Sequence, residues 1–297
     1  LLYLQSLDAQ RNSTYCMHQA DWIAGQLMRL GGHSDENNVL KLGYDLEAQC
    51  WPHWFEECGV RTELLPHVHG VGQQIGIAEN TIVRELGFSV GMKVIAGTTD
   101  SNAAFLAAGA RKKGEGVTSL GTTLAIKYIS DKSIQSVEHG IYSHRIGNLR
   151  LAGGASNSGG AALLKYFSIQ EIETLSNNMD ANQETGLDYY PLPKIGERFP
   201  INDPYLEPRE IPRPEDDQIF LQAMFEGIAR IEAKGYALLE ELGAPKLTRI
   251  FTSGGGAKNR VWTEIRSRIN NVPTTEALNV NPAYGSALLA KGIIPNF

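Results

Sequence analysis

Three glycine-containing loops, each at the end of a short β-type run, constrain the fold of this chain more than any other feature. They are residues 97–100 (Gly-Thr-Thr-Asp), 119–123 (Ser-Leu-Gly-Thr-Thr) and 254–259 (Gly-Gly-Gly-Ala-Lys-Asn). Helical patterns follow the first and third loops, whereas the second loop joins two strands as a hairpin. This alternation of short strands and helices predicts an α/β fold.

The second and third loops have the chemistry of a nucleotide-binding site. Glycine lets the backbone approach a phosphate closely, and amide and hydroxyl groups donate hydrogen bonds to its oxygens. The Gly-Thr-Thr turn at 121–123 places two hydroxyls at a hairpin tip. Residues 254–259 open a helix, and a helix N-terminus favours negative charge. Simple turn chemistry is the structural alternative for each loop.

Three side chains near these loops are candidates for function, and the first two have structural alternatives. Asp100 ends a strand where it is placed to accept a proton, or it caps the helix that follows. Trp262 is placed to stack on a purine, or it packs in the core. Asn259 is placed to hydrogen-bond around that purine. The fixed order of the loops favours the functional interpretations taken together.

Composition excludes several classes of protein. The net charge of −6 gives no basic surface for nucleic acid or for an anionic membrane. The longest apolar stretch, 103–108, is too short to span a bilayer, and we find no secretory or transit signal. Three cysteines without a CxxC spacing fit a reducing compartment. His67 and His69 have no neighbouring carboxylate or cysteine cluster, so we expect no metal site there.

The order of the motifs resembles the FGGY family of carbohydrate kinases, within the sugar kinase/Hsp70/actin superfamily. The resemblance rests on residues 97–100, 119–123, 254–262 and 284–290 (Tyr-Gly-Ser-Ala-Leu-Leu-Ala), and residues 20–23 (Ala-Asp-Trp-Ile) extend it upstream. It covers essentially the whole chain. Within the family, residues 37–45, 118–127, 151–161 and 187–201 look most like the plant-plastid and cyanobacterial xylulose kinase-like group, which is assigned to D-ribulose.

The resemblance implies two actin-like, ribonuclease H-like domains with nucleotide and sugar in the cleft between them. Residues 1–108 would be the C-terminal portion of the sugar-binding domain, and residues 109–297 would be the nucleotide-binding domain. Family members open with an Asp-x-Gly-Thr hairpin that contacts phosphate and Mg²⁺, and this sequence has no such hairpin. The first domain is therefore expected to be incomplete.

The resemblance also implies a role for each matched position. Asp100 matches the catalytic base that contacts the sugar. The positions expected to bind ATP are Gly121, Thr122 and Thr123 in the second phosphate motif, Gly153 and Gly154 along the nucleotide cleft, and Gly254, Gly255, Gly256 and Asn259 in the adenosine motif, with Trp262 against the adenine.

The expected activity is ATP-dependent phosphorylation of a small sugar or polyol, in particular a ketopentose such as D-ribulose or D-xylulose, with Mg²⁺. Two alternatives remain open at this point. One is a non-catalytic nucleotide-binding scaffold descended from a kinase, and the other is an actin- or Hsp70-like ATPase. The expected partners are the sugar and a second copy of the chain, and the expected compartment is the cytoplasm, or the plastid stroma in a plant or alga.

Overall fold

A computed structural model of the chain describes residues 1–293. The chain divides into two compact units. The first comprises Leu1–Ala103, His144–Gly147 and the stretch from Pro282 to the end of the described chain, and the second comprises Ala104–Ser143 and Asn148–Asn281. The expected correspondence of 1–108 and 109–297 with two kinase domains stays a prediction.

Helices and strands alternate along the described chain, as the loop pattern predicts. The helices are α1 (Leu2–Leu7), α2 (Gln19–Met28), α3 (Glu36–Val39), α4 (Trp54–Glu57), α5 (Asn80–Glu85), α6 (Asp100–Ala108), α7 (Gly160–Leu163), α8 (Ile169–Ser176), α9 (Asp217–Glu241), α10 (Arg260–Asn270) and α11 (Pro282–Ala290). The strands are β1 (His33–Asp35), β2 (His67–His69), β3 (Gln74–Ile77), β4 (Lys93–Ile95), β5 (Glu115–Leu120), β6 (Leu124–Ser130), β7 (Tyr142–Ile146), β8 (Leu149–Ser156), β9 (Arg249–Ser253) and β10 (Thr274–Glu276). Short 3₁₀ helices span Leu40–Leu42, Thr62–Leu64 and Gly255–Lys258.

The first unit contains two small sheets. β1 pairs parallel with β2, and β3 pairs antiparallel with β4. Ala78, Val83 and Val94 form a small buried cluster, against which Leu27 and Met28 of α2 pack. The strand β4 leads through residues 97–99 into α6, so the first glycine loop connects a strand to a helix as predicted.

The second unit is built on a six-stranded mixed sheet with the order β10-β9-β5-β6-β8-β7. β5 pairs antiparallel with β6 but parallel with β9, and the last paired residues are Ser119 and Ser253. Because parallel strands point the same way, β5 and β9 end at the same edge of the sheet. The second and third glycine loops therefore leave the sheet side by side.

The long helix α9 covers this sheet and forms much of its core. Its start is fixed by Asp216, whose carboxylate accepts a hydrogen bond from the N–H of Gln218, and the helix continues to Glu241. Gly243 follows with φ of +105°, a left-handed conformation that suits glycine after a helix. The sequence predicts a long amphipathic helix over about 217–242 with a cap at Asp216 and a stop at Gly243, and the structure confirms the cap and the stop. Phe220, Met224, Ile228 and Leu239 are among its fully buried residues.

Helix α11 packs closely on α6, the helix that begins at Asp100. The contact is at Gly285, which is buried and faces the backbone of Ala103. A Cβ atom at Gly285 would lie 1.8 Å from the carbonyl oxygen of Ala103 and 2.6 Å from its carbonyl carbon. Only a residue without a side chain allows this approach, because both partners at the contact are backbone.

Gly285→Ala should destabilise the protein, because α11 must move away from α6 to make room for one methyl group. Overpacking of this kind costs about 1–3 kcal/mol, which exceeds the gain of about 1 kcal/mol from replacing glycine by alanine in a helix. Urea denaturation measures the change. Ser286→Ala is the matched control on the same helix, where the side chain is exposed. A Gly285→Ala protein as stable as this control would contradict the packing described.

Candidate functional site

The second and third glycine loops contact each other at the edge of the sheet. Gly254 has φ of +89°, and a Cβ atom there would lie 2.5 Å from the carbonyl oxygen of Leu120 and 3.1 Å from the amide nitrogen of Gly121. Glycine at 254 is therefore required both by its left-handed backbone and by the closeness of the neighbouring loop. The structure brings these two predicted segments together.

A segment that the sequence did not single out as a site holds the hairpin tip in place. The N–H of Gly160 donates to the carbonyl oxygen of Gly121 at 2.8 Å, and the N–H of Ala161 donates to that of Thr122 at 3.1 Å. Gly159 has φ of +139°, and a Cβ atom there would lie 2.7 Å from the hairpin backbone. The signal in the sequence is the Gly-Gly pair at 159–160, where helix α7 begins.

The outer surface of both loops is open. Thr122, Thr123, Gly254 and Gly255 are exposed. A Cβ atom added at Gly121 or at Gly255 would meet no heavy atom within 4 Å. The side chains of Thr122 and Thr123 are therefore accessible to a ligand at the place where the two loops meet, whereas the N–H of Gly121 donates to the carbonyl oxygen of Thr123 at 3.1 Å. The predicted phosphate contacts of these residues stay a prediction.

Trp262 lies in the core, which corrects the expectation that its ring stacks on adenine. The side chain is 3% exposed. One face stacks on Phe225, with ring centroids 4.6 Å apart and an interplanar angle of 10°, and Nε1 donates to the carbonyl oxygen of Phe225 at 3.3 Å. A Cβ atom at Gly256 would lie 3.0 Å from Cζ3 of the indole. The ring supports the third loop from beneath and offers no face to a base.

The side chain of Asn259 is engaged within the protein. Its Oδ1 accepts a hydrogen bond from the N–H of Trp262 at 2.9 Å, which caps α10, and its Nδ2 donates to Oγ of Ser176 at 2.8 Å. Asn259 therefore fixes the start of the helix after the third loop. A direct hydrogen bond from this side chain to adenosine stays a prediction.

Gly153 and Gly154 have packing roles in β8. A Cβ atom at Gly153 would lie 2.1 Å from the carbonyl oxygen of Ile126, and one at Gly154 would lie 2.3 Å from the ring of Phe199. Close packing against β6 and against Phe199 explains why both positions are glycine. Their expected contact with the nucleotide stays a prediction.

Asp100 is the first residue of α6, and its carboxylate is exposed. Its Oδ1 accepts a hydrogen bond from the N–H of Ser101 at 2.7 Å. The turn before it is anchored at Thr98, whose Oγ1 accepts from Nδ2 of Asn37 at 3.0 Å and from Nδ2 of Asn102 at 3.1 Å. Both asparagines are fully buried. The sequence did not identify either asparagine as a support. Asn37 lies 61 residues before Thr98, so no local pattern indicates their contact.

A cluster of three histidines lies in the first unit, where the sequence suggested only a pair. The parallel pairing of β1 with β2 sets His33 opposite His67, and Nδ1 of His33 lies 2.8 Å from Nε2 of His69. Burial and the two neighbouring imidazoles lower the pKa of His69. Among residues 1–293, no group of three or more His, Cys, Asp or Glu side chains is arranged to hold a metal ion. The absence of a structural metal at this cluster stays a prediction, which elemental analysis of the purified protein tests.

The comparison with known families identifies the chain. The sequence model for the "FGGY family of carbohydrate kinases, C-terminal domain" matches residues 116–291, more than half of the chain. The chain belongs to the FGGY family of carbohydrate kinases. The matched segment contains both glycine loops and α7 to α10, which are the elements that build the candidate site in the second unit.

Relatives and solved structures agree with this membership. The chain is 26% identical over 239 residues to a xylulose kinase of Staphylococcus xylosus, a match that covers 76% of this chain and 49% of that protein. It spans about half the length of the curated relatives it matches. The structure is similar to a ligand-bound xylulose kinase from Lactobacillus acidophilus, with a TM-score of 0.81 and 19% identity over 98% of this chain and 61% of that one. It is also similar to a Plasmodium falciparum glycerol kinase with ADP, with a TM-score of 0.79 and 16% identity over 98% and 62%.

These similarities confirm the predicted fold class, the α/β actin-like fold of the sugar kinases. They do not test the plant-plastid and cyanobacterial subgroup, which stays a prediction. Within residues 1–293 there is also no helix whose length and apolar character would let it cross a membrane.

Trp262→Ala should destabilise this FGGY-family protein by about 3–5 kcal/mol, because it removes a large buried aromatic side chain from beneath the third loop. Urea denaturation measures the loss. Arg260→Ala is the control, because it changes an exposed side chain in the first turn of the same helix. A Trp262→Ala protein that keeps its stability but loses affinity for ADP would restore the stacking role and contradict the burial described here.

Proposed function

We propose that the protein catalyses ATP-dependent phosphorylation of a small sugar, and specifically of a ketopentose such as D-ribulose or D-xylulose. The observation that carries the proposal is the meeting of two open glycine loops at one edge of the sheet in a member of the FGGY family. The xylulose kinases among its relatives favour a ketopentose. The resemblance of residues 37–45 and 151–161 to the ribulose-assigned group favours D-ribulose.

The proposed ATP site uses both loops. The amides and hydroxyls of Thr122 and Thr123 would donate to phosphate oxygens, since both residues are exposed at the hairpin tip, and Gly121 would let the phosphate approach the backbone closely. Residues 254–259 would hold the adenosine against the start of α10. The fold shared with a glycerol kinase that has ADP in its structure supports a nucleotide role for this part of the chain.

Asp100 is the proposed general base. Its carboxylate would accept the proton of a sugar hydroxyl while that oxygen forms a bond to the γ-phosphorus of ATP and the bond from phosphorus to the ADP oxygen breaks. The hydrogen bond from the N–H of Ser101 orients the carboxylate, and its exposure leaves it accessible to a substrate. The loose transition state of phosphoryl transfer leaves the protein mainly with positioning and charge stabilisation.

Mg²⁺ is the proposed companion of ATP. In phosphoryl-transfer enzymes Mg²⁺ is commonly bound through one or two carboxylates together with substrate phosphates and water. When bound, the ion would neutralise charge on the transferred phosphate. The residues of this chain would bind the nucleotide and accept the sugar proton.

The proposal also includes a compartment. The cysteines at 16, 50 and 58 are free thiols, which fits a reducing compartment. We therefore place the reaction in the cytoplasm, or in the stroma of a plastid if the source is a plant or alga. A homodimer stays a prediction.

Turnover of ATP by the full-length protein, with and without each ketopentose, tests the activity directly. ADP release that rises on addition of D-ribulose or D-xylulose is the expected result. Equal release without sugar would indicate an actin- or Hsp70-like ATPase, and binding of ATP without turnover would indicate a scaffold. Either of these two outcomes contradicts the proposal.

Asp100→Asn should lower kcat by about 10²–10⁴-fold, because the amide cannot accept the proton as a general base does. Affinity for ATP should stay within a few-fold, since Asp100 is not in either nucleotide loop. Glu79→Gln is the matched control: Glu79 also belongs to the first unit and caps α5 through its carboxylate. An Asp100→Asn enzyme with more than about a tenth of wild-type kcat would exclude the base role.

A further inference from the structure

A completely buried ion pair lies beneath the two glycine loops. Arg266 of α10 and Glu232 of α9 are both 0% exposed. The pair is bidentate: Nε of Arg266 donates to one carboxylate oxygen at 2.8 Å, and Nη2 donates to the other at 2.5 Å. Desolvation makes such pairs weak contributors to stability, and well-packed apolar residues often replace them without loss. The presence of this pair therefore calls for a reason other than stability.

The pair also bonds to the two strands that carry the loops. Nη1 of Arg266 donates to Oγ1 of Thr252 on β9 at 2.9 Å, and Oγ1 of Thr118 on β5 donates to Glu232 at 2.5 Å. Thr118 and Thr252 are direct partners in the parallel register of β5 with β9. The two threonines precede the second and third loops by only a few residues. One buried cluster thus joins both strands near the ends that carry the loops.

The same cluster fixes the far end of the third loop. That loop begins after β9 and ends at the start of α10, and Arg266 lies on α10. The backbone ladder holds β5 and β9 together, but it does not hold α10 against β5. Arg266 supplies this connection, through Glu232 to Thr118. Burial raises the pKa of Tyr236, so its hydroxyl stays protonated at 3.0 Å from Oγ1 of Thr118.

A second buried carboxylate on α9 shows what this arrangement adds. Glu226 is 1% exposed and binds Nη2 of Arg268 at 3.2 Å and the hydroxyl of Thr185 at 2.7 Å. Arg268 lies on α10 and Thr185 lies between α8 and α9, so neither partner lies on β5 or β9. Glu226 and Glu232 are therefore both buried and both on α9. Of the two, Glu232 accepts a hydrogen bond from a strand that carries a glycine loop, and Glu226 does not.

We infer that Arg266 and Glu232 are positioning residues that set the spacing between the second and third loops, so that one nucleotide spans both. The inference rests on the proposed ATP site. A ligand that contacts both loops depends on their spacing, because small displacements of positioning groups are costly to binding and catalysis. A ligand that contacts the third loop alone does not depend on it. ADP is the first kind of ligand, and adenosine is the second.

The double variant Glu232→Leu/Arg266→Met tests the inference, because it removes the bonds to both strands while keeping apolar volume in the core. Calorimetric titration with ADP and with adenosine, together with thermal melting, gives the result. The dissociation constant for ADP should rise about tenfold or more, whereas that for adenosine should stay within about twofold. The ratio of the two constants is a readout that general destabilisation does not move.

Glu226→Gln is the matched control and should leave the ratio unchanged. If the double variant does not fold, Arg266→Lys gives the same readout, because lysine keeps the charge but loses the bidentate geometry and the bond to Thr252. A wild-type protein that binds neither ligand overturns the proposed ATP site and this inference with it. A wild-type protein that binds ADP, together with a folded variant of unchanged ratio, overturns the positioning role alone.

Discussion

The parallel pairing of β5 with β9 is the constraint on which the rest of the candidate site depends. These strands are far apart in sequence, and their pairing sends residues 121–123 and 254–259 out of the same edge of the sheet. Glycine at 254 then lets the loops touch. Residues 159–161 fix one loop from the side, and Asn259 fixes the end of the other. The geometry of the candidate site is therefore a consequence of strand order as much as of loop composition.

The protein interior beneath the second and third loops contains a charged pair that the glycine-rich loop sequences do not indicate. Apolar packing around Trp262 and Phe225 carries the third loop, while the buried Arg266–Glu232 pair ties both strands to the two helices. The apolar packing resists displacement because it is close, and the ion pair sets distances through hydrogen-bond geometry. Together they support the exposed loops rigidly. Preorganised binding of a highly charged nucleotide would require such support.

Patterns in the sequence predicted the structural features that depend on interactions between residues close together in the chain. The cap at Asp216, the stop at Gly243 and the strand-to-loop transitions depend on residues within one turn of each other, and the structure confirms them. The position of Trp262 depends on which face of α10 meets α9, which helical spacing alone does not decide. The sequence around Arg266 is typical of an exposed charged residue, because its partner Glu232 lies 34 residues earlier. The approach of His33 to His69 likewise depends on the pairing of β1 with β2.

Amide hydrogen–deuterium exchange of the full-length protein, with and without saturating ADP, tests most directly the claim that the two loops form one nucleotide site. The account predicts slower exchange on ADP binding in residues 121–124 and 254–259 together, and little change in the histidine cluster of β1 and β2. Protection of one loop without the other, or protection confined to segments outside both loops, would contradict it.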